Sequence, residues 1–308
     1  MINLIWKFIE LRRLIRQLSP DVVISFLTRV NVATSLSTMG FNTRLIICER
    51  TWTPFATLNK KLFWFYRLLF KRADEVIVQT DKSKSWLNKN FPENSSTVIP
   101  NPVVYPLPLH NERSIKPDSL VDKDKRIILA SGRMHKYKQF DLLIRAFNAI
   151  KDHHTQWELV ILGEGEERAK LENLVSSFKL SSSVFMPGYK SNVFNFLNNS
   201  KCFISSSLYE DPGFSLIEAG SINKIVIAPD TKTGPSEILD ESNRGFLFKK
   251  NDLSSLVEKF FEFYYSNEKL LNLKKIKMKK YTKNFTLFSH YQEFIKIIIC
   301  SNNIKKDQ

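Results

Sequence analysis

Two hydrophobic periods share this chain. Over residues 2–18, Leu4, Phe8, Leu11, Ile15 and Leu18 recur at helical spacing along one face, and Ser19-Pro20 ends the pattern. The run DVVISF at 21–26 follows as a buried strand. Further short apolar strands are expected at 45–48, 75–79 and 97–99, with helical connections between them. From residue 126 the alternation becomes regular. RIILA at 126–130, WELVIL at 157–162, SVFMPGY at 183–189, CFISSS at 202–207, KIVIAPD at 224–230 and RGFLFKKND at 244–252 read as six strands. Helical patterns join them, including 139–150 and a helix beginning near Glu166. Strands alternating with helices make largely parallel sheets, so the chain is α/β, and its second half carries a complete nucleotide-binding type of domain. Residues 253–299 read as helical, with Phe260, Phe263, Tyr264, Leu270, Leu273 and Ile276 supplying apolar faces.

A length of 308 residues accommodates two domains. The pattern places the first over 1–118, the second over 119–284, and a last helix over 285–308 that packs back on the first. Tyr105 to Lys125, rich in charge and carrying Pro106, Pro108 and Pro117, reads as the linker between them. Within it, Asp122-Lys123-Asp124 has the form of a D-x-D metal pair, but lysines flank and separate the acids, so it reads as a solvated charge run. Cys48, Cys202 and Cys300 are far apart and form neither a disulfide framework nor a CxxC metal site, which suits a reducing cytoplasmic compartment.

The net charge of +15 calls for anionic partners. Because the excess is spread over both halves without a zinc finger, RNP-type strand or helix-turn-helix signature, nucleic acid is not expected among them. No apolar run is long enough to span a bilayer. In the helical stretch 60–72, Lys60, Lys61, Trp64, Arg67, Lys71 and Arg72 share one face, and Leu62, Phe63, Phe65, Tyr66, Leu69 and Phe70 the other. Basic residues around a tryptophan suit an anionic membrane surface; a plain amphipathic helix with its basic side in water explains the pattern equally well. Lys274, Lys275, Lys277, Lys279, Lys280 and Lys283 read as a solvated helix face, with membrane contact as the sharper alternative.

The chemistry concentrates in KCFISSSLYEDPGFSLIEAGS at 201–221, where a strand breaks into a polar loop, turns at Gly213, and starts a helix through Phe214 and Ser215. The carboxyl edge of a parallel sheet is where ligands bind, and the unpaired amides of a helix start favour anionic oxygens. Glu210 and Glu218 frame this turn. A carboxylate beside a phosphate costs Coulomb energy, so each is better suited to accepting hydrogen bonds from uncharged sugar hydroxyls, which points to a sugar nucleotide. The plainer alternative is that Glu210 complements the helix dipole and Glu218 lies on the surface. Arg133 and Lys138 follow the first strand of this half, Gly163 to Gly165 the second, Gly188 and Tyr189 the third, and Thr233 to Glu237 the fifth, so all should meet at the same edge. Two cations and a helix start there would stabilise a leaving diphosphate without a metal.

SGR-x4-K at 131–138, LGEGEE at 162–167, VFMPGY at 184–189 and E-x7-E from Glu210 to Glu218 together resemble the carboxyl-terminal domain of GT-B retaining glycosyltransferases of family four. The resemblance is strong over 126–250 and extends more loosely through ICER at 47–50, RADEVIVQT and VIPNPV. It implies two Rossmann-like domains with parallel sheets. Arg133 and Lys138 would bind the donor diphosphate, Glu218 the ribose, and Glu210 the transferred sugar. Backbone groups near Gly188 and Tyr189 would meet the base, amides of Gly213, Phe214 and Ser215 the phosphate and sugar, and Glu49 and Arg50 would face the acceptor. The reaction implied is metal-independent and needs no cofactor. It transfers a hexose or N-acetylhexosamine from a UDP-sugar to a lipid-linked saccharide or polysaccharide, of the kind built into bacterial surface polymers such as capsule and lipopolysaccharide, at the inner membrane face. Family members usually begin with a strand and a glycine-rich loop ahead of a segment like DVVISF, so the first domain is expected to be incomplete and shortened at its amino terminus. A non-catalytic nucleotide-binding remnant and a GT-B-like sugar-nucleotide isomerase remain the alternative readings.

Overall fold

The computed structural model describes residues 2–50, 60–104, 124–150, 155–231 and 233–300. Most of the linker, with Asp122 and Lys123, lies outside the described residues, as do the side chains of Lys60, Lys61, Leu62 and Phe65. The chain divides into two compact units, Met1–Asn101 with His290–Gln308, and Pro102–Ser289.

The first unit runs α1 (Ile2–Leu18), β1 (Val22–Phe26), α2 (Thr28–Thr38), β2 (Arg44–Cys48), α3 (Lys60–Phe70), β3 (Glu75–Val78), α4 (Asp81–Asn90) and β4 (Ser96–Val98). Its four strands are parallel and pair in chain order, Ile24 opposite Ile46 and Cys48 opposite Ile77. Alternate side chains of β2 and β3 feed opposite faces, as the period of a strand requires. Leu45, Ile47, Val76 and Val78 pack with Phe70 and Phe91, while Ile46, Cys48 and Ile77 pack on the other face with Phe294, Ile297 and Ile298 from the end of the chain. Of the face expected on α1, Ile15 is buried but Leu18 is 67% exposed, because the helix ends there and the chain turns away. On α3, Trp64 and Leu68 stand in solvent, while Arg67 and Lys71 both reach Glu93, at 3.4 and 3.3 Å.

The second unit carries β5 (Arg126–Ser131), α5 (Phe140–Ile150), β6 (Trp157–Leu162), α6 (Arg168–Ser177), β7 (Val184–Gly188), α7 (Val193–Asn199), β8 (Ser200–Ile204), α8 (Phe214–Ser221), β9 (Ile225–Asp230), α9 (Pro235–Leu239), β10 (Phe246–Lys249), α10 (Leu253–Tyr265) and α11 (Glu268–Thr282). The sheet order is β10-β9-β8-β5-β6-β7, all parallel. The chain lays down β5, β6 and β7 in one direction, then returns beside β5 to lay down β8, β9 and β10 in the other. The reversal between β5 and β8 leaves a crevice at the carboxyl edge, where the loops after these two strands diverge.

The helical stretch 253–299 is made of three helices, the last of them the separate terminal helix expected from about residue 285. Asp252 caps α10 by accepting from Ser255 N at 3.0 Å, Asn267 caps α11 by accepting from Leu270 N at 2.9 Å, and a 3-10 turn at Lys283–Phe285 leads into α12 (Leu287–Cys300). The lysines of α11 are not a uniformly solvated face either. Lys274 is buried, with its ammonium donating to Ser242 O and Gly245 O and lying 4.7 Å from the Phe246 ring centre.

Candidate functional site

The crevice between β5 and β8 is closed by one ion pair. Lys138, on a 3-10 turn after β5, and Glu210, in the loop after β8, meet at 2.6 Å with both side chains 15% exposed. Bonds to backbone carbonyls, two from hydroxyls and one from an amide, hold the loops in this register. Ser206 Oγ donates to Lys138 O at 2.7 Å, Leu208 N to Tyr137 O at 2.7 Å, and Thr233 Oγ1 to Glu210 O at 2.9 Å. Thr231 Oγ1 then donates to Thr233 O, at 2.7 Å, so the loop after β9 is part of the same frame. Gly132 gives the lysine stem its room, since a Cβ there would lie 3.1 Å from Lys138 Cε. Gly213, at φ +108°, turns the chain into α8 without a side-chain cap, so the amides of Phe214 and Ser215 open that helix.

Beside the pair lies a cleft of about 610 Å³. One wall is Ser131, Gly132 and Arg133, the floor Leu162, Gly163 and Glu164, and the far side Tyr189 to Ser191 with Val193 and Phe194; Glu218 projects into it from α8. The floor is backbone packed on backbone: Gly163 N donates to Gly188 O at 3.0 Å, Gly132 N to Leu162 O at 2.9 Å, and a Cβ on Gly163 would fall 1.9 Å from Gly132 O. Glu164 is oriented by Arg168, with two contacts of 2.7 Å, and Arg168 also donates to Met186 O at 3.2 Å. Among the described residues Glu218 has no comparable partner. Burial pushes its carboxyl up to about 7, so near neutral pH it stands between charged and uncharged. Arg133 is 72% exposed and reaches Glu166 only at 3.8 Å, while His135 Nε2 approaches the same carboxylate at 3.2 Å.

The sequence-predicted residues therefore fall into two groups in this unit. Arg133, Tyr189 and Glu218 line the cleft, with Gly188 O bonded to its floor, and Lys138, Glu210, Gly213, Phe214 and Ser215 form its neighbouring edge. Sequence reasoning gave no role to Ser206 or Gly132, and it placed Thr233 at this edge without its bond to Glu210 O. The hydroxyl run Ser205 to Ser207 and the glycine in SGR were the available signals.

In the first unit, Glu49 lies just past β2 and is 2% exposed. Its carboxylate accepts from Thr28 Oγ1 at 2.6 Å and Asn31 Nδ2 at 2.9 Å, and Asn31 also donates to Cys48 O at 3.1 Å. Burial raises the Glu49 pKa against the pull of those two donors. Arg50 lies 4.7 Å from the Phe26 ring centre, with Nη1 buried and without a hydrogen-bond partner among the described residues. His290 Nδ1 is 2.7 Å from Pro100 O; burial and, less strongly, the Arg50 charge lower its pKa. Among the described residues no three His, Cys, Asp or Glu side chains come together as a metal-binding set.

Comparison with known proteins gives this architecture its relatives. The family described as glycosyl transferases group 1 matches residues 111–282, and the one described as glycosyltransferase family 4 matches residues 2–104. An uncharacterized glycosyltransferase of Methanocaldococcus jannaschii is 33% identical over 260 residues, 77% of this chain; the chain spans 63% of that protein's length. A Campylobacter jejuni protein is 30% identical over 275 residues, covering 83% of this chain and 72% of its own; its name describes an N-acetylgalactosaminyltransferase acting on a diphospho-undecaprenol-linked sugar. Among solved structures, Anabaena HepE in complex with UDP superposes with a TM-score of 0.81 at 14% identity, over 94% of this chain and 81% of that one. A Rickettsia africae glycosyltransferase superposes with 0.78 at 19%, over 94% and 79%. The two parallel sheets are thus those of the GT-B fold, and the chain belongs to the group 1, family 4 glycosyltransferases.

Proposed function

We propose that this glycosyltransferase moves a hexose or N-acetylhexosamine from a UDP-sugar to a lipid-linked saccharide or polysaccharide acceptor, with retention at the anomeric carbon and without a metal. The observation that carries the donor reading is the cleft at the strand reversal, with the Glu218 carboxyl projecting into it beside the Lys138–Glu210 pair. A half-buried carboxyl with no hydrogen-bond partner among the described residues suits the two hydroxyls of a ribose, which donate to it and relieve its desolvation. Lys138, Arg133 and the first amides of α8 suit the diphosphate, whose negative charge grows as the sugar leaves. Glu210, released from Lys138 when the diphosphate takes its place, is then free to accept from the transferred sugar. The backbone at Gly188 and Tyr189 meets the base.

The sugar and acceptor rest on relatives. Besides the protein above, a second Campylobacter jejuni protein, 25% identical over 294 residues, is named an N-acetylgalactosaminyltransferase acting on an undecaprenol-linked glycan. A Staphylococcus aureus protein, 28% identical over 138 residues, is named a poly(ribitol-phosphate) N-acetylglucosaminyltransferase. Among the described residues no helix is long and apolar enough to cross a membrane. A lipid-linked acceptor brings the chain to the cytoplasmic membrane face, with the exposed Trp64 side of α3 as one contact and Arg50, whose Nη1 lacks a partner among the described residues, on the acceptor side.

Titration of UDP into the full chain by calorimetry, with EDTA present, tests the donor site. Glu218→Ala and Arg133→Ala should each weaken binding about tenfold or more. Absence of UDP binding to the folded wild type rejects the reading. Product formation from UDP-N-acetylgalactosamine, with the anomeric configuration read by NMR, tests transfer and retention.

A further inference from the structure

Helix α11 is oriented in an unusual way for a surface helix. Lys274, Met278 and Thr282 point inward and are buried, while Leu270, Leu273 and Ile276 are 39, 48 and 66% exposed. Lys269, Lys277 and Lys280 stand among these apolar side chains, all exposed and none with an ion-pair partner among the described residues. At the flank of the helix Lys275 lies within electrostatic reach of Lys224, which also feels Lys201; after burial, these two charges are what lower the Lys224 pKa. The Lys224 ammonium finds only a carbonyl, Asn198 O at 2.6 Å. The cations of α11 far outnumber its one acid, Glu268 in the first turn; such an excess raises the energy of the isolated surface, and an anionic partner lowers it.

We propose that the outward face of α11 docks on an anionic phospholipid bilayer. Leu273 and Ile276 enter the boundary between headgroups and acyl chains, and the lysines spread at the phosphate level, their stems lying along the apolar layer. A nucleic acid would use the lysines but would leave the two apolar side chains uncovered. The lysines of α11 are also freer than the basic residues at the end of α3, where Arg67 and, just past the helix, Lys71 share Glu93. The inference does not depend on the glycosyl-transfer reading.

Flotation of the full chain with vesicles of phosphatidylcholine, and of phosphatidylcholine mixed with phosphatidylglycerol, tests it. Wild type should float only with the anionic vesicles, less as salt rises. Lys269→Gln with Lys277→Gln and Lys280→Gln should lower the partition coefficient roughly 100-fold. Leu273→Ser with Ile276→Ser should lower it about tenfold while leaving the salt dependence in place. Both variants should keep the wild-type melting transition and UDP affinity, which separates loss of docking from loss of fold and from failure of the donor site. Absence of anionic-vesicle binding by wild type overturns the proposal. So does undiminished binding by the lysine variant, or loss confined to Trp64→Ser on α3. Retention on single-stranded DNA without any vesicle binding assigns the lysines to a nucleic acid and equally overturns it.

Discussion

Glu218→Gln should make the second unit more stable at pH 8 and less able to bind UDP. The carboxyl rises from 4.5 to about 7 on burial. At about 1.36 kcal/mol per pH unit, keeping it ionised in the folded chain costs about 3 kcal/mol, and its opening to cleft water screens this toward about 1.5. Between pH 4.5 and 7 the folded chain holds a proton that the unfolded chain has lost, so wild-type stability falls as pH rises across that window and is flat above it. The glutamine variant lacks this titration. The two proteins should therefore unfold alike near pH 4 and diverge to a gain of about 1.5–3 kcal/mol for the variant at pH 8, a rise of about 5 °C in the melting temperature. Urea unfolding at half-unit pH steps checks it. A gap of the same size at pH 4 and pH 8, or a variant less stable at pH 8, would refute the account of Glu218 as a half-buried carboxyl with no hydrogen-bond partner among the described residues. Ribose hydroxyls favour the ionised form, so UDP should also release protons on binding near pH 6.5. Calorimetry in buffers of different ionisation heat reads that release.

The other predictions concern the frame around that carboxyl and the first unit. Gly163→Ala places a methyl 1.9 Å from Gly132 O at a position with φ +134°; it should destabilise the second unit by about 3 kcal/mol in urea and lower UDP affinity more than tenfold. Lys138→Met should leave the chain folded but cut the rate of sugar transfer roughly 100- to 1,000-fold, measured by UDP release, because the leaving diphosphate loses its nearest buried cation. Asn31→Ala strips a donor from both Glu49 and Cys48 O, and should cost the first unit about 2–4 kcal/mol in denaturant unfolding while leaving UDP affinity unchanged.

The strands of both sheets were legible because each apolar run is short, rich in β-branched residues and bounded by polar turns. Runs such as IIL in β5 and LVIL in β6 are buried on both faces of a parallel sheet, so they show no alternation to misread. Arg133, Tyr189 and Glu218 were placed at one edge by counting loops, and they do line one cleft. The Lys138–Glu210 bond could not be found that way. Its partners are 72 positions apart, and their meeting depends on which strand lies beside β5, a matter of topology rather than of local pattern. The inward turn of Lys274 was hidden for a related reason: nothing near it in the chain announces the carbonyls of Ser242 and Gly245 that receive it. In the last helical stretch the separate final helix was legible, while the break between α10 and α11 was visible only in principle, since Asn267 is a good capping residue.

On the proposed donor reading, the bond between Lys138 and Glu210 bears on which anions the cleft admits. A lone buried ammonium would attract any small anion in the cell, and inorganic phosphate is far more abundant than a sugar nucleotide. Here such an intruder must displace a carboxylate already held at 2.6 Å, and a single phosphate has little else to gain at that spot. A nucleoside diphosphate gains more, because Arg133 and the first amides of α8 lie within the same edge and the Glu218 carboxyl waits in the cleft beside it. Under that reading, discrimination against simple anions would arise from internal competition, with the protein's own glutamate as the threshold that a ligand must outbid.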